Sequence, residues 1–175
     1  MKKLSIFSAI LTFIVSGCSM KNRTSDIPAV TEFDLNRYMG KWYEIARYPH
    51  RFERGMNYVS ATYTLLPSGK VEVLNSGIDK NGNRKTIKGI AVAVPPAGSG
   101  ELKVSFFRPF YGAYRIIYLS QDYDFAIVTS STKDYLWLLS RNPAITGQQK
   151  DFSLNWIRDR GFEPSSLIWV EQRIK

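Results

Sequence analysis

The 175-residue chain carries a formal net charge of +9, is 44% hydrophobic and 14% aromatic, and holds one cysteine and one histidine. That size and apolar content suit one globular domain with a core of useful size, and leave little room for two. A lone cysteine excludes an intrachain disulfide and an all-cysteine metal site, so neither a protein-built metal centre nor a cofactor is expected. The positive charge favours an anionic surface, nucleic acid or lipid, without choosing between them.

The chain opens with MKKLSIFSAILTFIVSGCSM. Lys2 and Lys3 make a positive start, residues 4–15 form an apolar run too short for a comfortable membrane span, and small residues follow. This is the layout of an export signal. V-S-G-C resembles the bacterial lipobox, whose cysteine thiol is acylated after cleavage just before it, and the only cysteine, Cys18, stands at that place. Residues 1–17 are therefore expected to be removed, leaving a net charge of +7. Several acyl chains, at about 0.8 kcal/mol per buried methylene, would anchor the product. Ser19, rather than Asp, after the cysteine points by resemblance to the outer membrane. Residues 18–32 read as the acylated N-terminus and a polar tether, and residues 33–175 as the folded domain.

From Phe33 on, period-two runs rich in Val, Ile, Tyr, Phe and Thr follow one another: KWYEIARY, YVSATYTLL, KVEVLNSGI, RKTIKGIAVAV, ELKVSFFRPF, YGAYRIIYLS, YDFAIVTSS and DYLWLLSRNP. Turn chemistry separates them, as in LPSGK, DKNGN and PPAGSG. Such a series predicts a sandwich or a closed up-and-down barrel. The stretch TGQQKDFSLNWIRDRGF differs. Phe152, Trp156 and Ile157 fall at helical spacing, Thr146 is an N-cap candidate, and Gly161 is a stop. A last short strand, SLIWVEQ, closes the series.

That order, and three motifs within it, resemble the lipocalin family. GKWYEIARYP is similar to the family's first-strand G-x-W signature. QDYDFAIV is similar to its T-D-Y motif, with Gln121 in place of the threonine, and LWLLSRNP to its third motif, which ends in arginine. Together with the lipobox they resemble the bacterial outer-membrane lipoprotein group of that family. The resemblance implies an eight-stranded antiparallel up-and-down barrel with one C-terminal helix packed outside. It also implies binding of fatty acids or lysophospholipids for envelope lipid storage, transport or repair, and a homodimer for some members. Two alternatives stand beside this reading: a lipocalin-fold enzyme acting on a lipid, and a carrier of another small hydrophobic ligand.

A barrel of this size either fills with side chains or holds one small ligand. Alternation along the strands marks the expected pocket wall: Ala46 and Tyr48 with Trp42; Val59, Ala61 and Tyr63; Val73 and Asn75; Leu102, Val104 and Phe106; Tyr114, Ile116 and Tyr118; Tyr135 and Trp137. Leu136 and Leu138 take the opposite face, to be covered by the helix through Phe152 and Trp156. Small inward residues leave space, and tyrosine hydroxyls and Asn75 supply isolated polar points. By resemblance, Trp42 and Arg141 form a structural stack at the closed end of the barrel. Arg47, Arg51 and Arg54 flank the first loop, where they are placed to meet a ligand head group at the mouth, with Phe52 and Met56 as an apolar rim. RPFYG, residues 108–112, is a second rim segment, able to touch membrane, a partner subunit or the ligand tail.

A Ser–His–Asp hydrolase would need His50 as base, yet G-x-S-x-G is absent and a histidine beside a proline on a loop reads as exposed and inert. Export and scattered basic residues argue against nucleic acid. The expected partners are a single-chain lipid and, through the anchor, the outer membrane.

Overall fold

The structure, a computed structural model, describes residues 22–172. The export signal and Cys18 lie outside the described residues, as does the Phe52 side chain. The alternating runs become eight strands: β1 (Gly40–Arg47), β2 (Asn57–Leu65), β3 (Val71–Ile78), β4 (Arg84–Ala93), β5 (Glu101–Phe107), β6 (Phe110–Leu119), β7 (Phe125–Thr129) and β8 (Leu136–Ser140). Each pairs antiparallel with the next, and β1 pairs with both β8 and β2, which closes the barrel. Closure removes the sheet edges that would otherwise template aggregation.

The connections alternate between two ends. At the closed end a short helix that alternation does not reveal, α1 (Leu35–Tyr38), lies under β1. Asp34 caps it, accepting from Asn36 N at 2.8 Å, and Tyr38, 1% exposed, plugs the barrel floor. At the open end lie the β1–β2, β3–β4, β5–β6 and β7–β8 connections.

Helix α2 (Gly147–Arg158) starts at Thr146 with a full capping box to Gln149, and the chain leaves it through Gly161 at φ +75°, where a side chain would be strained. Its Ile157 is fully buried against the outer face of the barrel, with Leu154 and Trp156 beside it. Burying one such side chain contributes roughly 1.5–3 kcal/mol. Leu136, Leu138, Ile127 and Phe125 receive the helix, so β7 and β8 are apolar on both faces.

A ninth strand, β9 (Ile168–Trp169), bonds outside β1 at Ala46 and Arg47. The segment after it fills a gap. β1 and β2 pair only over Gly40–Tyr43, and beyond that Val170 N donates to Ile45 O at 2.9 Å, while Gln172 Nε2 donates to Glu44 O at 2.7 Å and Val59 O at 2.9 Å.

The barrel strands carry four register shifts, in β1, β2, β5 and β6, and two of them overturn the inward faces that alternation predicts. In β1 the register shifts between Glu44 and Ala46, and in β6 between Ile116 and Tyr118. Each inserts one residue, Ile45 or Ile117, and reverses the alternation after it. Residues 22–32, expected as a tether, are instead a strap bonded along the barrel wall. Val30 N donates to Ile116 O at 2.9 Å, Arg115 Nη2 donates to Ile27 O at 2.9 Å, and Thr24 is fully buried.

Candidate ligand-binding barrel

The interior divides into a filled half and a lined half. At the closed end Trp42, Val71, Val73, Ala91, Ile116 and Val128 are all at most 2% exposed. Three tyrosines join them: the Oη atoms of buried Tyr38 and Tyr63 lie 2.7 and 2.9 Å from Oη of the half-buried Tyr114. Burial pushes all three phenols up, so they remain neutral donors and acceptors.

Arg141 seals this end. Its guanidinium lies 4.0 Å from the Trp42 ring centroid and donates to Lys41 O (2.8 Å), Arg37 O (2.9 Å) and Tyr123 O (3.2 Å). Trp42 Nε1 donates to Tyr38 O at 2.9 Å. The same contact explains the glycine of the G-x-W string. Gly40 has φ +92°, and a Cβ there would stand 3.3 Å from Arg141 Nη1. The Trp42–Arg141 pair is thus a floor that holds α1, β1 and the β6–β7 turn together, and its hydrogen bonds all go to backbone carbonyls.

Toward the open end the inward residues stay partly accessible. Ala61, Asn75, Val104, Phe106, Tyr135 and Trp137 are of intermediate exposure, and Ile87, opposite Asn75, is 38% exposed. The amide oxygen of Asn75 is buried without a hydrogen-bond partner. An apolar wall with one unpartnered polar point is what a small-molecule pocket presents.

One side of this chamber is charged and buried, a feature that alternation hides. After the β1 bulge Arg47 points inward, only 2% exposed. Its Nη1 lies 2.6 Å from Glu44 Oε1, and its Nη2 donates to Glu53 O at 2.6 Å and Met56 O at 3.2 Å. Arg47 therefore clamps the first loop onto the barrel. His50 is buried too, its Nε2 3.0 Å from Glu53 Oε2 and its ring 5.5 Å from Trp137 and 6.0 Å from Tyr135. Burial, with the neighbouring Glu53 charge, pushes the Glu44 carboxyl well above the usual range despite Arg47. Burial also pushes Glu53 upward, but hydrogen bonding and charge from His50, with Arg47, outweigh it and hold Glu53 below that range.

Of the residues expected on the pocket wall, Val59, Ala61, Tyr63, Val73, Asn75, Leu102, Val104, Phe106, Tyr114, Ile116 and Trp137 face the interior, and Tyr135 stacks on Trp137 at 5.9 Å and 17°. Three are corrected. Ala46 and Tyr48 belong to the outer cluster, Tyr48 donating to Glu163 O at 2.9 Å, because the β1 bulge precedes them. Tyr118 follows the β6 bulge and packs outside against Phe152 at 4.9 Å. Arg47 is corrected as well: its charge is already engaged by Glu44 and two carbonyls, whereas Arg51 and Arg54 are exposed on the mouth loop. His50 is not the exposed residue that its loop position implies. The adjacent apolar pairs Ile45–Ala46 and Ile116–Ile117 were the available signal for both bulges.

The chain is similar to known proteins in sequence and in shape. The sequence description of the lipocalin-like domain matches residues 33–172. The chain is 42% identical to Outer membrane lipoprotein Blc of Citrobacter freundii, covering 98% of each chain. It is 39% identical to the protein of the same name in Vibrio cholerae, covering 97% of this chain and 99% of that one. In shape it is similar to insecticyanin from the tobacco hornworm, with a TM-score of 0.70 over 85% of both chains at 22% identity. Family match, near full-length identity and a barrel closed around Trp42 and Arg141 agree that this chain belongs to the lipocalin family.

Proposed function

We propose that this chain is an outer-membrane lipoprotein that binds a fatty acid or lysophospholipid in the open half of its barrel. The observation that carries the reading is the contrast inside the barrel, filled and hydrogen-bonded at one end, lined but accessible at the other. An acyl chain entering that half gains about 0.8 kcal/mol per methylene withdrawn from water, before the costs of ordering. The unpartnered Asn75 amide oxygen favours a ligand that brings a donor, such as the glycerol hydroxyl of a lysophospholipid. Exposed Arg51 and Arg54 on the mouth loop are placed to meet a carboxylate or phosphate. Reversible binding of this kind needs no cofactor.

Location follows from two supports. The lipobox string ends in Cys18, so residues 1–17 are removed and the thiol acylated, and the relatives bear the name outer membrane lipoprotein. The test is to delipidate the purified protein and titrate it with fluorescent fatty acid and with lysophospholipid, expecting saturable binding of one ligand per barrel. No saturable exchange of either would sink the reading.

One observation favours a second reading. The buried His50–Glu53 contact has the geometry of an oriented acid–base pair, as a lipid hydrolase would need. His50→Ala separates the two: loss of lysophospholipid turnover supports the enzyme, and binding without turnover in either form supports the carrier.

A further inference from the structure

We infer that the first loop is a lid on the barrel mouth, fastened by a proton that Glu44 on the wall shares with Glu53 on the loop, and that losing this proton as pH rises loosens the lid and speeds exchange of the bound lipid. The lipid part rests on the carrier reading above, and the lid itself does not.

The loop is built to move as one piece. It is fixed just before Pro49, where Tyr48 N donates to Leu136 O at 2.9 Å, and regular structure resumes at Asn57 with β2. Between them Arg51–Glu53 form a single helical turn, and Gly55 follows at φ +70°, with open space where a Cβ would stand. A glycine in that conformation suits a hinge. The far end of the loop is seated on β3 at Gly77, whose missing side chain makes the room. A Cβ there would lie 2.8 Å from Met56 Cε and 3.1 Å from Val59 Cγ2.

Beneath the loop two carboxyls flank one guanidinium. Glu44 Oε1 lies 2.6 Å from Arg47 Nη1, and Glu53 Oε2 lies 4.0 Å from Arg47 Nε. The two carboxyls are also within hydrogen-bonding reach of each other, one from the barrel wall and one from the loop. Two carboxylates this close in a dry site repel, which favours a single shared proton. Glu44 is displaced upward, through burial and the Glu53 charge, and Glu53 downward despite its burial, as such a pair requires. While the proton is present, Glu44 donates to the loop and the charges of Arg47 and Glu53 balance. Once it leaves, the cluster carries an excess negative charge. The Glu44 carboxylate then repels Glu53 and competes with the loop carbonyls of Glu53 and Met56 for Arg47. Water admitted by a lifting loop relieves that buried charge.

The other groups around the pair do not oppose this direction. His50, on the loop, has Nε2 3.0 Å from Glu53 Oε2; a proton on its ring draws Glu53 inward, and rising pH removes that too. From β2, Tyr63 is kept neutral by burial. From the side of β8, the rings of Tyr135 and Trp137 lie 6.0 and 5.5 Å from the His50 ring. From the C-terminal segment, the uncharged Gln172 amide donates to Glu44 O at 2.7 Å. Arg51 and Arg54 are exposed.

The test uses the delipidated full-length protein and a fluorescent lysophosphatidylcholine, a zwitterion whose charge stays constant over the span examined. Release into excess unlabelled lipid is followed from about pH 5 to about pH 9, above the ordinary carboxylate range. It should quicken at least about fivefold, the scale of one lost hydrogen bond. Glu44→Gln keeps a neutral donor at every pH, so its release should stay slow and flat. Glu53→Gln removes the proton's other partner and should be flat as well. Wild-type release that does not change with pH overturns the inference. So does Glu44→Gln release that follows the wild type, which would give the dependence to His50. The lid is also read without lipid, by hydrogen exchange at Met56 N, which donates to Glu53 O at 3.1 Å, with the intrinsic pH dependence of exchange divided out. Protection that falls with pH in the wild type but not in Glu44→Gln, in a protein that binds no lipid, keeps the lid and removes the carrier. Saturable lipid binding with constant protection at Met56 does the reverse.

Discussion

Replacing Arg47 with methionine separates a ligand hook from a structural clamp. The substitution keeps most of the side-chain volume and removes the charge. Two part-buried carbonyls, Glu53 O and Met56 O, lose the guanidinium as donor, Glu53 O keeping Met56 N at 3.1 Å, and Glu44 loses its partner at 2.6 Å. Breaking a buried pair by removing one member costs about 3–5 kcal/mol, while an orphaned carbonyl such as Met56 O alone would cost about 1–3 kcal/mol. Glu44 limits the total, because burial already raises its carboxyl and lets it take up a proton. A loss of about 4 kcal/mol is expected, which in a domain of this size lowers Tm by roughly 8–16 °C. The assay is thermal unfolding of Arg47→Met beside binding of a fluorescent fatty acid well below the new Tm. Adding Glu44→Gln should restore about half of the lost stability, since no buried carboxyl then lacks a partner. Unchanged melting with abolished fatty-acid binding would refute the clamp and return Arg47 to the ligand.

Arg141→Ala removes the cation over Trp42 and three hydrogen bonds to carbonyls, and is expected to cost about 2–4 kcal/mol with less than threefold change in lipid affinity; melting and titration together check it. Arg141→Lys should rescue little, because one ammonium cannot reach three carbonyls while lying flat on an indole. Ala61→Trp should fill the accessible half and weaken fatty-acid binding at least tenfold, with Tm shifted only a few degrees. The paired carboxyls give opposite pH slopes. The folded state raises Glu44, so its contribution favours folding at low pH and is lost as pH rises from 4.5 through the raised value. The folded state lowers Glu53, so its contribution is present above 4.5 and lost as pH falls through the lowered value. Unfolding of Glu44→Gln across this range should therefore show stability gaining on the wild type as pH rises, and a difference independent of pH would contradict the burial argument.

What the sequence could and could not reveal has a physical pattern. Strand existence follows from alternation, and the capped helix follows from Thr146, Gln149 and its apolar stripe, because those signals are local. Inward and outward faces are also local until a bulge intervenes. One extra residue at Ile45 moved Ala46 and Tyr48 outward and Arg47 inward, and one at Ile117 did the same to Tyr118. The short helix α1 is not legible in the sequence since four residues carry no period, although Asp34 is a fair cap signal. The buried His50–Glu53–Arg47–Glu44 cluster was illegible because charged loop residues normally face water, and only the tertiary closure of the first loop over the barrel takes them out of it. The strap looks like a tether in sequence because its polar residues hide three anchoring side chains, Thr24, Ile27 and Val30.

The central claim is that the accessible half of the barrel holds one acyl chain. Native mass spectrometry of the protein extracted from the outer membrane tests it most directly, reading acyl modification, bound lipid and stoichiometry in one spectrum. The expected spectrum shows a chain beginning at an acylated Cys18, with one fatty acid or lysophospholipid retained per barrel and lost from Ala61→Trp. A barrel that carries no lipid from the envelope and accepts none when offered would contradict it.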